Sequence, residues 1–292
     1  MNLRPPGYGT VFMRRQRPQR ANEERRVCSW RQGLPGYSRL VPVWIKERLL
    51  LGERLLGSFL QLSSPSVVEA LVHVGGFDFF CVEGEHSGLA EADVASLTRS
   101  VDLLGLPCLV RVAALGSVPI AFALDAGAVG VVVPRVEGPA AAAAAVEASH
   151  FPPRGARGVG PSRASAFGLK QNAYVEESKE ALVCVQVETR AGAERVQEIA
   201  AVSSVDLVFV GPGDLALSYG LDPVRDADRV RQTVSRILEQ VSEAERLTGV
   251  YCGTADAARA WLRDGVSLVV LGSDLLFLSS GARQAIPAAP RA

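Results

Sequence analysis

From residue 55 onward the chain repeats one unit eight times, a short apolar run followed by a stretch with helical spacing. The runs are Gly57–Leu62, Phe77–Val82, Pro107–Val112, Val129–Pro134, Leu182–Val187, Asp206–Val210, Gly249–Cys252 and Ser267–Leu271. Each is rich in Val, Leu, Ile, Phe or Cys and bounded by Gly, Pro or charged residues, as strands are. Their apolarity is nearly continuous, which suits parallel strands covered on both faces. Between them lie Ser64–His73, Glu91–Leu103, Val118–Ala126, Gly138–Ser149, Ala191–Val202, Arg225–Arg246 and Ala255–Arg263, with Gly127 and Gly265 placed to stop helices. Eight such alternations predict an α/β fold, a closed (β/α)₈ TIM barrel, rather than an open doubly wound sheet. Val43–Leu56 reads as a helix capping the bottom of the barrel, and Leu275–Ile286 supplies the eighth outer helix. Phe151–Tyr174 is the one long irregular stretch, of a length that serves a site or an interface.

The domain plan that follows is a basic arm over 1–42, a barrel over 43–287 and a flexible tail over 288–292. The first 40 residues hold nine Arg against two Glu, with Pro5, Pro6 and Pro18 and little apolar periodicity, so disorder is expected there and no nucleic-acid partner. The five cysteines, Cys28, Cys81, Cys108, Cys184 and Cys252, form no C-x-x-C pair, and three of them sit in apolar runs as buried thiols do. No apolar leader precedes the body and no run is long enough to span a membrane, so a cytoplasmic protein is expected, with no membrane partner. Gly155–Gly160 is a loose Gly-x-x-Gly-x-Gly that follows no strand and lacks the downstream acid of a dinucleotide site.

In a barrel of this kind the chemistry sits where strands end. Strand two ends in Val82-Glu83-Gly84-Glu85-His86, strand three in Val110-Arg111, strand five in Gln186-Val187-Glu188, and strand six runs into Gly211-Pro212-Gly213-Asp214. Glu188 and Asp214, from neighbouring strands, suit a hard divalent cation with open positions (Mg²⁺, Mn²⁺ or Co²⁺), whereas zinc would want His or Cys clusters. Alternatively, Glu188 caps the next helix or pairs with Arg190. His86 is a candidate general acid/base, against a structural role; His73 and His150 read as surface or packing residues. Arg111 faces the mouth and binds an anion, or else pairs with Glu85 or Glu188. The only lysines are Lys46, Lys170 and Lys179, none at a strand end, so a ketone here would be activated by a metal and not by a Schiff base.

The sequence resembles the HpcH/HpaI-type metal-dependent (class II) pyruvate aldolases of the phosphoenolpyruvate/pyruvate barrel group. The resemblance lies in Gly57-Ser-Phe-Leu-Gln-Leu-Ser-Ser-Pro65, Gly76-Phe-Asp-Phe-Phe-Cys-Val-Glu-Gly-Glu-His86, Val110-Arg111, Leu124-Asp-Ala-Gly127 with Val133-Pro134, Arg157-Gly-Val-Gly160, Gln186-Val-Glu188 and Gly211-Pro-Gly-Asp-Leu215. It spans about residues 45–286 with the motifs in order. It implies that Glu188 and Asp214 hold the metal and that pyruvate chelates it through keto and carboxylate oxygens. Gln186 would line the site, and the backbone at Gly213-Asp214 would take the pyruvate carboxylate. Arg111 would stabilise the enolate oxygen, and His86, oriented by Asp125, would move a proton at the aldehyde oxygen. There are departures: Glu83 stands where the family has Asp, Phe59 where it often has Trp, and Gly213 where it often has Ala.

The activity implied is reversible cleavage of a 4-hydroxy-2-oxo acid to pyruvate and an aldehyde through a metal-bound pyruvate enolate. The alternatives are oxaloacetate decarboxylation or addition of the same enolate to a specialised biosynthetic acceptor, and then a barrel without catalysis. The partners expected are small molecules and further copies of the chain, as a homo-oligomer (trimer or hexamer).

Overall fold

The computed structural model describes residues 42–287. The arm apart from Pro42, with Cys28, and the tail 288–292 lie outside the described residues. Eight strands are hydrogen-bonded in sequence order, all parallel, and the eighth closes on the first. They are β1 (Leu55–Leu60), β2 (Phe79–Glu83), β3 (Cys108–Arg111), β4 (Gly130–Val133), β5 (Leu182–Val187), β6 (Leu207–Val210), β7 (Leu247–Cys252) and β8 (Leu268–Ser273). The expected (β/α)₈ barrel is thus what the chain forms.

Period-two alternation splits each strand between two cores, which is why the runs looked apolar throughout. Leu55, Phe59, Phe79, Cys81, Leu109, Val132, Leu182, Cys184, Leu207, Phe209, Leu268 and Val270 fill the barrel interior. The alternate residues, such as Leu60, Phe80, Val82, Val110 and Val185, pack against the outer helices. Burying one ring such as Phe79 or Phe209 contributes about 1.5–3 kcal/mol. The interior is therefore a packed plug, and chemistry is confined to its ends.

The lower end is closed by α1 (Pro42–Leu50), whose Ile45 and Leu49 stand one turn apart and join the inner core. This capping helix is shorter than the expected Val43–Leu56. Gly52 turns the chain at φ 83°, and Arg48 ties the turn to Glu53 and Asp78, both at 2.8 Å, so that β1 starts at Leu55.

Around the barrel run α2 (Pro65–Val74), α3 (Glu91–Leu103), α4 (Ser117–Ala126), α5 (Pro139–Ser149), α6 (Gln171–Glu177), α7 (Arg190–Glu194), α8 (Val196–Ala200), α9 (Pro212–Ser218), α10 (Ala227–Glu243), α11 (Ala255–Asp264) and α12 (Asp274–Ala285). Gly127 and Gly265 end α4 and α11 in the left-handed region, as read from the sequence. Ala191–Val202 is not one helix. It breaks at Arg195 (φ −115°, ψ 17°), whose guanidinium lies over Gly138. The stretch expected to be irregular ends in α6, and it packs at the lower end of the barrel. Its Arg157 side chain is fully buried between the rings of Phe151 (4.7 Å) and Tyr174 (5.3 Å). His150 beside it is a packing residue: burial pulls its pKa down to about 4, so it is neutral. Among the described residues no helix is long and apolar enough to cross a membrane.

Candidate active site at the barrel mouth

Arg111 is the last residue of β3 and follows Leu109 on the inward-facing row, so its side chain rises from the apolar plug into the mouth. Its guanidinium lies 4.7 Å above the Phe59 ring. Nη2 donates to Glu83 Oε2, and Nη1 is 3.5 Å from Glu85 Oε2. Burial opposes the charge of Arg111, but the two carboxylates outweigh it and raise the pKa further. Of the alternatives open in the sequence, pairing with Glu85 is therefore present, while Glu83 is the closer partner.

Glu83 ends β2 and is inaccessible to solvent. Its Oε1 accepts the backbone N–H groups of Glu85 (2.7 Å) and His86 (3.0 Å), so one carboxylate folds the turn that follows the strand. Gly84 is required in that turn, because a Cβ there would stand 2.6 Å from the carbonyl oxygen of Arg111. The turn leaves the His86 side chain 58% exposed, with Nε2 3.7 Å from Glu85 Oε2. Burial raises the pKa of the Glu85 carboxyl, against the pull of Arg111, and the charge of Glu188 pushes it the same way as burial.

Across the mouth, Glu188 follows β5 and is 2% exposed. Oε1 accepts the backbone N–H of Arg135 at 2.8 Å, and Oε2 accepts from Gln186 Nε2. Arg135, just after β4, has φ 54°, a left-handed conformation that costs a non-glycine residue of order 1–2 kcal/mol. That strain turns an N–H toward Glu188. Gly211, just beyond β6, leaves the space that Glu188 and Gln186 use, since a Cβ would lie 3.0 Å from Glu188 Oε2 and 3.1 Å from Gln186 Nε2.

The Gly211-Pro212-Gly213-Asp214 segment is not a bare turn but the start of α9, with Pro212 at the first position. Asp214 is in the first turn of that helix, exposed, and among the described residues its carboxylate makes no hydrogen bond or ion pair. Gly213 is also exposed. Pairing of Val187 with Val210, and Gly211 N–H donation to Val187 O at 3.2 Å, put Glu188 and Asp214 on adjacent strand ends.

Do these residues fit a divalent cation? Each Glu188 oxygen takes a single hydrogen bond, Asp214 is unpaired among the described residues, and Gln186 Oε1 is buried without a partner. These are hard oxygen donors, as Mg²⁺ or Mn²⁺ requires. Among the described residues no group of three or more His, Cys, Asp and Glu is placed to hold a metal, so water and substrate oxygens would complete the shell.

Asp125 does not join this set within one chain. It lies near the end of α4, which runs down from the mouth to the start of β4, and its carboxylate receives Arg157 Nη2 at 2.6 Å. The ring of His86 meets Glu85 instead. Three mouth residues escaped the reading of the sequence: Glu83 as the partner of Arg111, the backbone of Arg135, and Tyr251. The last continues the inward row Leu247, Gly249 on β7, and its ring lies 5.9 Å from Phe59. Strand alternation alone would have found Tyr251 and Glu83. Nothing in the sequence marks Arg135.

The model of the HpcH/HpaI aldolase/citrate lyase family matches residues 55–280. A hydroxypyruvate/pyruvate aldolase of Rhizorhabdus wittichii is 33% identical over 239 residues, 80% of this chain and 94% of that protein. A 4-hydroxy-2-oxovalerate aldolase of Novosphingobium aromaticivorans is 33% identical over 241 residues, 81% of this chain and 90% of that protein. Among solved structures, a HpcH/HpaI aldolase/citrate lyase family protein from Burkholderia cenocepacia superposes with a TM-score of 0.77 at 38% identity, covering 82% of this chain and 96% of that one.

Proposed function

The chain belongs to the HpcH/HpaI aldolase/citrate lyase family, and from that premise we propose that it is a metal-dependent lyase cleaving a 4-hydroxy-2-oxo acid to pyruvate and an aldehyde. The observation that carries the proposal is the Arg111 guanidinium, fixed by Glu83 above Phe59 at the same rim as Glu188. It is a permanent positive charge, held in place before reaction beside the carboxyl groups of Glu83 and Glu85. Such a charge suits a reaction that builds negative charge on a substrate oxygen.

In cleavage the 4-hydroxyl loses its proton, the C3–C4 bond breaks, the aldehyde leaves, and the electron pair passes to the 2-oxo group as an enolate. A proton then adds at C3 to give pyruvate. Arg111 offers its N–H groups to the developing enolate oxygen. His86 stands exposed at the lip and takes the hydroxyl proton, through water or directly. Glu188 and Asp214 are the residues to hold Mg²⁺, Mn²⁺ or Co²⁺, with Gln186 lining the same site and the N–H groups at Gly213-Asp214 open to a carboxylate. The metal supplies Lewis-acid polarisation of the 2-oxo group when bound. No lysine competes for that role: Lys46 pairs with Asp206 at 2.8 Å in α1, Lys170 precedes α6, and Lys179 pairs with Glu176 on the surface.

The test is pyruvate release from a panel of 4-hydroxy-2-oxo acids with Mg²⁺, Mn²⁺ or Co²⁺ present. At least one member should be cleaved with stoichiometric pyruvate and aldehyde. Failure across the panel by a folded protein with every metal would count against the proposal.

A further inference from the structure

We infer that Glu83 is a positioning residue that sets Arg111 and the His86 turn together, with a single carboxylate. The inference rests on the function proposed above and assigns a task to a residue which that reaction does not itself touch. Glu83 is wholly buried, and its two oxygens serve different structures. Oε1 takes the N–H groups of Glu85 and His86 at 2.7 and 3.0 Å; Oε2 takes Arg111 Nη2. The backbone runs the same way, because Gly84 donates to Arg111 O at 2.8 Å and Ser87 Oγ donates to Glu83 O. Glu83 and Arg111 are register partners on adjacent strands, so the two are held side by side from Cα outward.

Other restraints on the guanidinium are weaker. Glu85 is 3.5 Å from Nη1, Phe59 offers only a ring face at 4.7 Å, and Arg111 Nε is buried without a hydrogen-bond partner among the described residues. The charge-assisted contact with Glu83 therefore fixes where the positive charge stands. Side-chain length matters here. A carboxylate one methylene shorter would lie closer to the strand, where it could serve the N–H groups two and three residues on, as aspartate does in turns. With the backbone and Arg111 where they stand in this chain, it would not at the same time reach Nη2. Glutamate spans both, so the charge that meets the substrate and the loop that carries His86 share one anchor.

The experiment is a kinetic double-mutant cycle on the full chain with its metal, using Glu83→Asp and Glu83→Gln, alone and combined with Arg111→Lys. Decarboxylation of oxaloacetate and cleavage of the best panel substrate are both followed. A displacement of about 1 Å in a catalytic group can cost on the order of 10²-fold. Glu83→Asp should accordingly lower kcat by roughly 10- to 100-fold in both reactions, with KM changed less than about threefold and the unfolding midpoint nearly kept. Adding Glu83→Asp to Arg111→Lys should cost less than about threefold more, since both remove the same placed charge. Wild-type kcat in Glu83→Asp, or losses that multiply in the double variant, would overturn the inference. If Glu83→Gln does not fold, the charge-conserving Asp series decides. An inactive wild type would defeat the function proposed above; an active wild type with multiplying losses would defeat this inference alone.

Discussion

Replacing Glu188 with Gln is expected to abolish tight divalent-cation binding and to lower cleavage by about 10³-fold or more, the rate equivalent of several kcal/mol of Lewis-acid stabilisation. Glu188 is 2% exposed and is oriented from two sides, by the strained backbone of Arg135 and by Gln186. Gln keeps the shape and the acceptor for the Arg135 N–H but removes the charge a cation needs. Ala would also strand two buried donors, at about 1–3 kcal/mol each, and so would confuse loss of binding with loss of fold. Asp214→Asn is the companion. That side chain is exposed and free of hydrogen bonds among the described residues, so stability should not change while binding and turnover fall together. Calorimetric titration with Mn²⁺ measures this directly: affinity should drop by more than about 100-fold, beyond the usual loss for an outer-sphere partner. Retention of both affinity and turnover in either variant would remove these residues from the site.

His86→Ala should separate two reactions of the same enolate. The imidazole projects from the mouth, 58% exposed, and among the described residues its polar partner is Glu85, at 3.7 Å, so the fold does not depend on its ring; the turn itself is held through the backbone N–H. A proton on the aldehyde oxygen moves in aldol cleavage and has no counterpart in decarboxylation of oxaloacetate. Cleavage should therefore fall about 10²-fold or more, the usual scale for general acid–base catalysis, while decarboxylation is largely spared. Arg111 is needed for the enolate in both, so Arg111→Lys, which keeps charge but loses the planar fork, should depress both. Equal losses of the two activities in a folded His86→Ala protein would show that His86 shapes the site and moves no proton.

What could be read from the chain follows from physics of different range. Barrel topology was legible because every strand is buried on both faces, so each run announces itself; β5 and α3 fall on the expected residues. The helix α9 was missed because a seven-residue helix opening Pro-Gly has the composition of a turn. The candidate site was legible wherever a charged residue ends an apolar run, as at Arg111 and Glu188, since burial makes such a residue conspicuous. It was illegible wherever backbone conformation does the work, as at Arg135, whose left-handed φ no side chain announces. Asp125 marks a third limit. Its assignment came from resemblance to a family, and the geometry of a single chain gives its carboxylate to Arg157.

Formation of a pyruvate enolate at this mouth with a divalent cation can be tested on pyruvate alone, without knowing the aldehyde. Pyruvate incubated with the protein and Mg²⁺, Mn²⁺ or Co²⁺ in deuterated buffer should exchange its C3 hydrogens, read as mass gain by mass spectrometry. The exchange should stop with EDTA and return when the cation is restored, and borohydride added with pyruvate should trap no lysine adduct. Deuterium incorporation no faster than in buffer with all three cations, or exchange that survives EDTA together with a trapped lysine, would rule out a metal-assisted enolate at this mouth.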